Sequence, residues 1–304
     1  MSKTLHILNG DSTLSKFQNS GINGDTYVWN EVLSDGPVDQ GFASQSFWDK
    51  REKFMSKEFE LTEGQYFEKG QKPFEKMANN IQQYDEIVLW FEYDLFCQIN
   101  MIALMHWLGN IHDLRNVSLI CAGKIDDSGR LYGLGEIDTK SYPQLYENRL
   151  KLGSREFSYA TDVYETFCSD SPDDLFTFVL MPFAELPYLP QALESHFRRF
   201  PGKQSGLTEI ELQLIRFIQE GENDKRRLVG KMLRWQKHHG FGDLQYFNIL
   251  KRMSPLFEYK DGLVLKFNYD STLIDRSYYL GGALVADWLW DENEEALTPR
   301  ESAF

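Results

Sequence analysis

Acidic and hydroxyl side chains recur in this chain directly after short apolar runs, where a strand would turn into a helix. The first case is Leu5-His6-Ile7-Leu8-Asn9-Gly10-Asp11-Ser12-Thr13, which breaks at Gly10 before Leu14, Phe17 and Ile22 carry an amphipathic segment. The second is Glu86-Ile87-Val88-Leu89-Trp90-Phe91, the pattern of a strand covered on both faces. Glu92-Tyr93-Asp94 closes it, and Gln98 follows Asp94 by one helical turn on the same face. If the two strands are neighbours, Asp11, Glu92 and Asp94 converge beside two helix N-termini. Carboxylates there have two uses. They cap amides and complement the helix dipole, or they hold a hard cation such as Mg2+ through oxygens while it engages a phosphate.

Ser12 invites comparison with hydrolases whose nucleophilic serine follows the first strand. Such a serine needs a base, and the base needs an orienting group. None of the six histidines has an aspartate three residues before it. His6 lies five extended residues from Asp11, a span of roughly 17 Å. The weight of the turn therefore moves from the serine to the acid, with helix capping by Asp11, Ser12 or Thr13 as the simpler use. His6 alternates with Ile7 in a central strand and reads as a buried, neutral, hydrogen-bonded imidazole. No Walker loop is present and the turn has only Gly10, which disfavours a dinucleotide laid along a glycine-rich loop.

The elements that would position these groups follow in order. Asp25 to Asn30 reads as a second strand with Leu33-Ser34-Asp35-Gly36-Pro37-Val38 as its loop. Residues 44 to 83 read as helices carrying Trp48 and Arg51, residues 95 to 108 as a further helix, and Val117 to Ala122 as another buried strand. Alternating strands and helices predict a Rossmann-like open parallel sheet over residues 1–140. Ligands bind such sheets beyond the carboxyl ends of the strands, where the strand order reverses. Each polar cluster falls at one of those ends.

Residues 141–203 read as a helical connecting segment, and Pro201-Gly202-Lys203-Gln204-Ser205-Gly206 as a linker. Residues 204–304 then offer three helices and a hairpin, a winged-helix-like pattern. Thr208 with Glu211 caps the first helix. The second is basic, with Lys225, Arg226, Arg227, Lys231, Arg234 and Lys237, and it is expected to carry His238 and His239 on the surface. The third, from Asp243, offers Gln245 and Asn248, thin support for a base-reading helix. The hairpin turns at Asp261-Gly262, and Asp291 to Glu295 reads as a frayed tail.

With 304 residues, of which 42% are hydrophobic, two domains with real cores are expected. A formal charge of −14 argues against a protein coated in nucleic acid or held on an anionic membrane. No apolar run approaches the roughly 18 to 20 residues of a membrane helix, and no signal-peptide layout is visible. The chain reads as cytoplasmic. Cys97, Cys121 and Cys168 sit among apolar neighbours and read as buried free thiols.

The chain resembles a bacterial family known only as a domain of unknown function, number 1835 in that series. The resemblance rests on His6-x-x-x-Gly10-Asp11-Ser12, Trp29 with the Gly36-Pro37-Val38 loop, Arg51, and Trp90-Phe91-Glu92-x-Asp94-x-x-x-Gln98. Gly133-Leu134-Gly135-Glu136, Arg149 and the closing Tyr279-Leu280-Gly281-Gly282 complete it. It implies that Asp11, Ser12, Glu92, Asp94, Gln98, Arg51 and Arg149 belong to one arrangement. The arginines would either neutralise the acids or clamp an anion in fork geometry. The expectation is a pocket for a small anionic ligand, nucleotide-like or phosphorylated. Gly10, Asp94, Gln98, Arg51 and Arg149 would contact it, Asp11, Glu92 and Asp94 would hold any metal, and Asp11, Ser12 and Glu92 would serve a metal-assisted hydrolysis. The alternative is a non-enzymatic regulator whose C-terminal module meets nucleic acid or a protein partner.

Overall fold

Apolar and β-branched residues free of glycine and proline make Thr4–Asn9 (β1) a strand buried along its whole length. The computed structural model describes residues 2–111, 116–260 and 262–301. After β1 come Asp11–Gln18 (α1), Asp25–Trp29 (β2), Gly36–Pro37 (β3), Gln45–Glu58 (α2), Lys72–Asn79 (α3), Glu86–Glu92 (β4), Leu95–Gly109 (α4) and Asn116–Ala122 (β5). Tyr142–Glu147 (α5), Leu150–Leu152 (β6), Ser154–Phe167 (α6), Phe176–Leu180 (α7) and Leu189–Phe197 (α8) follow.

The main sheet runs β2-β1-β4-β5-β6, with the first four strands parallel and β6 antiparallel at the edge. Leu8 of β1 lies opposite Trp90 of β4. The chain steps from β1 to β2 on one side and returns to β4 on the other, so the order reverses between β1 and β4. Open α/β sheets bind ligands beyond the carboxyl ends of their strands near such a reversal; the cleft of this chain lies at the carboxyl end of β4 and takes no residue from the loop after β1. Helix α4 is apolar all round because it is covered all round: the sheet, α6 and α8 pack on it. The edge strand β6 lies beyond residue 140, so the sheet reaches into the stretch expected to be a helical connector.

The C-terminal third contains Glu209–Gln219 (α9), Lys225–Trp235 (α10), Asp243–Arg252 (α11) and the hairpin of Phe257–Tyr259 (β7) with Leu263–Leu265 (β8). Thr208 and Glu211 form the expected reciprocal cap. Gly262 is described, whereas Asp261, the other half of the expected turn, lies outside the described residues. Tyr279–Gly281 (β9) and Ala283–Leu284 (β10) join β3 in a second sheet, which ties the end of the chain to the Gly36-Pro37 loop.

Two expectations are corrected. The 201–206 stretch is a packed turn, not a free linker: Lys203 N donates to Trp290 O at 2.8 Å, and Trp290 N to Pro201 O at 2.9 Å. Nor does the acidic tail fray. Trp288–Asp291 (β11) and Ala296–Pro299 (β12) pair as a hairpin, and Asp291 both caps its turn and meets Lys203 at 3.1 Å. Cys97, Cys121 and Cys168 are free. No helix of the described residues is long and apolar enough to cross a membrane.

Candidate functional site

Strand β4 delivers Glu92 and Asp94 to the carboxyl end of the sheet, and both act first as caps. Asp94 is the N-cap of α4, its Oδ1 accepting from Cys97 N at 2.8 Å. Glu92 Oε1 accepts from Leu134 N at 2.8 Å, at the start of the 3-10 turn Leu134–Glu136. Gly133 presses on the other oxygen, since a β-carbon there would lie 2.6 Å from Glu92 Oε2. The Gly133-Leu134-Gly135-Glu136 motif is thus the cradle of Glu92. Gln98 reaches back from α4, Nε2 donating to Glu92 O at 2.7 Å, while its Oε1 has no partner among the described residues.

Two carboxyls withdrawn from water so close together resist ionisation. Burial, then the charges of Asp94 and Glu136, push Glu92 up to about 7. Burial pushes Asp94 up to about 6. The Cys97 thiol, behind them, is pushed well above its ordinary value by the same burial and by both acids. Candidate ligand atoms of Glu92, Asp94 and Cys97 lie within 4.8 Å of one another. This donor set does not fit the expected Mg2+: each carboxylate already has an oxygen on a capping amide, and the third donor is a soft sulfur.

The far wall comes from the C-terminal third. His238 and His239 were expected on a surface helix, but α10 ends at Trp235 and the two histidines lie in the following loop, His239 buried. That loop sits on the N-terminus of α4: Leu95 N donates to His238 O at 2.7 Å and Phe96 N to His239 O at 3.2 Å. Four amides at a helix start lack intrahelical partners; here Asp94 and these two carbonyls supply three of them, those of Cys97, Leu95 and Phe96. Gly240 closes the loop over the Asp94 carboxyl. Between the walls lies a cleft of about 890 Å³, lined by Tyr93, Asp94, Arg130, Glu136, Arg234 and Lys237 among others.

The other expected site residues are placed as follows. Gly10 takes the left-handed φ of +82° that the turn requires. Asp11 and Ser12 are exposed on the first turn of α1, which has no side-chain cap, and Asp11 is outside the three-residue ligand cluster. Arg51 is fully buried away from the cleft. Its guanidinium holds Glu31 at 2.8 and 3.0 Å and the carbonyls of Val32, Asp35 and Pro37, so it has no donor left for a ligand. Arg149 is forked onto Glu86 at 2.7 and 3.1 Å. Glu86 begins β4 and Glu92 ends it, six extended residues or about 20 Å apart. The two arginines thus neutralise acids of their own and do not clamp an anion at this end of the sheet.

His6 is buried as expected, accepting from Trp90 Nε1 at 3.1 Å with its other nitrogen 3.2 Å from Asn23 O; burial lowers it to about 4. Asn9 was not anticipated: it links Cys97 Sγ at 3.0 Å to Asn100 at 3.0 Å behind the carboxyls. Arg130, Arg234, Lys237 and Gly240 were also missed as cleft residues. For Arg234 and Lys237 the available signal was the long basic run without an acid; Arg130 and Gly240 carried none. No family model matches the chain, and no curated protein matches it.

Proposed function

We propose that the protein binds a small phosphorylated, nucleotide-like anion in this cleft, at the carboxyl end of a Rossmann-like sheet. One observation carries the reading: Arg234 and Lys237 line the cleft with no ion-pair partner among the described residues. A guanidinium and an ammonium facing a shaped cavity form a docking point for phosphate oxygens. Asp94, on the opposite wall, supports orientation of ligand hydroxyls, and with Glu92 behind it could carry a proton near neutral pH. Binding is the conclusion; for hydrolysis the supporting group is this carboxyl pair, since Asp11 and Ser12 do not line the cleft. The three helices and hairpin support reading residues 204–304 as a winged-helix-like module that forms the cleft's second wall. A cytoplasmic setting belongs to the same proposal, supported by three free cysteines.

Thermal shift with ATP, AMP, ribose 5-phosphate and inorganic phosphate, with and without Mg2+, tests it. A stabilisation by one of these probes that disappears in Arg234→Ala/Lys237→Ala is expected, since a ligand bound only to the folded state raises its stability. Both side chains are exposed, so the unliganded variant should melt as the parent does. No response to any probe, or a response that survives the double substitution, overturns the reading.

A further inference from the structure

Residues 225–242 hold six lysines and arginines and no aspartate or glutamate, in a chain of formal charge −14. Folding needs only part of this. Leu228, Val229 and Met232 bury the inner face of α10. Arg227 and Lys231 meet Glu222 at 3.3 and 3.6 Å, and Lys225 lies over the Tyr259 ring. Arg226, Arg234 and Lys237 are left without an ion-pair partner among the described residues. Arg226, Gly230 and Arg234 recur every fourth residue and share one face of α10, the two arginines about 12 Å apart along its axis. Gly230 puts no side chain between them. Arg234 lines the cleft and Arg226 does not, so the cationic stripe leads out of the cleft along the helix.

A ligand confined to the cleft would reach only the inner end of this stripe. We propose that the ligand is a single-stranded polynucleotide, its end inside the cleft and its following phosphates along the Arg226–Gly230–Arg234 face. This rests on the reading of the cleft as an anion site and extends it. A basic groove with an aromatic ring for stacking is how single strands are held without base-edge reading. Tyr93 supplies the ring: it lines the cleft and meets His238 edge-on, ring centres 6.0 Å apart at 85°. A duplex reader would instead present α11. That helix is committed to the first half of the chain, Gln245 to Asp35 at 2.6 Å, Asn248 to Glu58 O at 2.7 Å and Arg252 to Glu58 at 3.0 Å. Of the inner acids, Glu136 is paired with Arg130 at 2.5 Å, and Asp94 has one carboxyl oxygen on the Cys97 amide at 2.8 Å.

The test uses the full chain and fluorescence anisotropy with a labelled oligouridine of about twelve nucleotides, its duplex, and UMP and polyglutamate as competitors. The oligouridine should bind at least about tenfold more tightly than UMP, with log affinity falling against log salt at about −0.7 per phosphate contact. Arg226→Ala should weaken the oligomer about fivefold and lower that slope by about 0.7, leaving UMP unchanged. Arg234→Ala/Lys237→Ala should weaken both. Equal or tighter binding of the duplex, displacement by polyglutamate as effective as by unlabelled oligouridine, or an oligomer indifferent to Arg226→Ala overturns the proposal. UMP binding that persists through such a result leaves the cleft reading standing; loss of both removes both.

Discussion

Gly240 lies directly on the carboxyl group of Asp94, so that a β-carbon at residue 240 would overlap the Asp94 carboxyl carbon. With φ at +69°, Gly240 also occupies backbone space that other residues enter at a cost. This one contact joins the C-terminal third to the end of β4, buries the acid and shapes the cleft.

Gly240→Ala should therefore destabilise the protein by about 2 kcal/mol or more, from the left-handed backbone and the overlap together. Urea unfolding measures the loss. Hydrogen exchange gives the local signature: the amides of Leu95 and Phe96, now bonded to His238 and His239 carbonyls, should exchange faster by a larger factor than those of β5. Uniform acceleration across the chain would show that the loop is not the weak point.

The carboxyl pair makes stability fall as pH rises. A carboxyl whose native pKa stands above its unfolded value holds more protons in the native state between the two, and that contribution is lost across the window. For Glu92 the window runs from 4.5 to about 7, and for Asp94 from 3.8 to about 6. Glu92→Gln keeps an oxygen for Leu134 N and cannot ionise. The stability difference between Glu92→Gln and the parent should be near zero at the bottom of the window. It should grow to about 2 to 3 kcal/mol in favour of the variant above its top. A flat difference across that range contradicts a buried, hard-to-ionise Glu92.

His196 has the opposite sign. It is fully buried among Phe167, Phe197 and Phe200, neither ring nitrogen has a partner among the described residues, and burial lowers it to about 3. An imidazole that must stay neutral to stay buried favours the native state above its unfolded pKa of 6.5, and the advantage is lost as pH falls toward 3. His196→Phe removes two unpaired polar atoms at similar volume and should stabilise by about 1 kcal/mol, more so in acid. Thermal melting between neutral and mildly acid pH checks it.

Arg51→Met should cost about 3 to 5 kcal/mol, because it leaves Glu31 buried without its cation. Adding Glu31→Gln should recover part of that loss. Two-state unfolding of the single and double variants decides it, and strictly additive losses would refute the coupling.

Local order set much of this fold in the sequence itself. The apolar runs of β1, β4 and β5, the all-round apolar α4 and the Thr208–Glu211 cap are legible because their signals lie within one strand length or one helical turn. The same locality placed Glu92, Asp94 and Gln98 together at one strand end. Tertiary structure decided which charges meet. Arg51 is claimed by Glu31 and Arg149 by Glu86, pairs separated by 20 and 63 residues, and such distances leave no periodic trace. The edge strand β6 has only three residues and owes its existence to β5 beside it. Most of all, the second wall of the cleft comes from a loop 140 or more residues after Asp94, seated by backbone carbonyls that any sequence carries; only the packed chain fixes where carbonyls point.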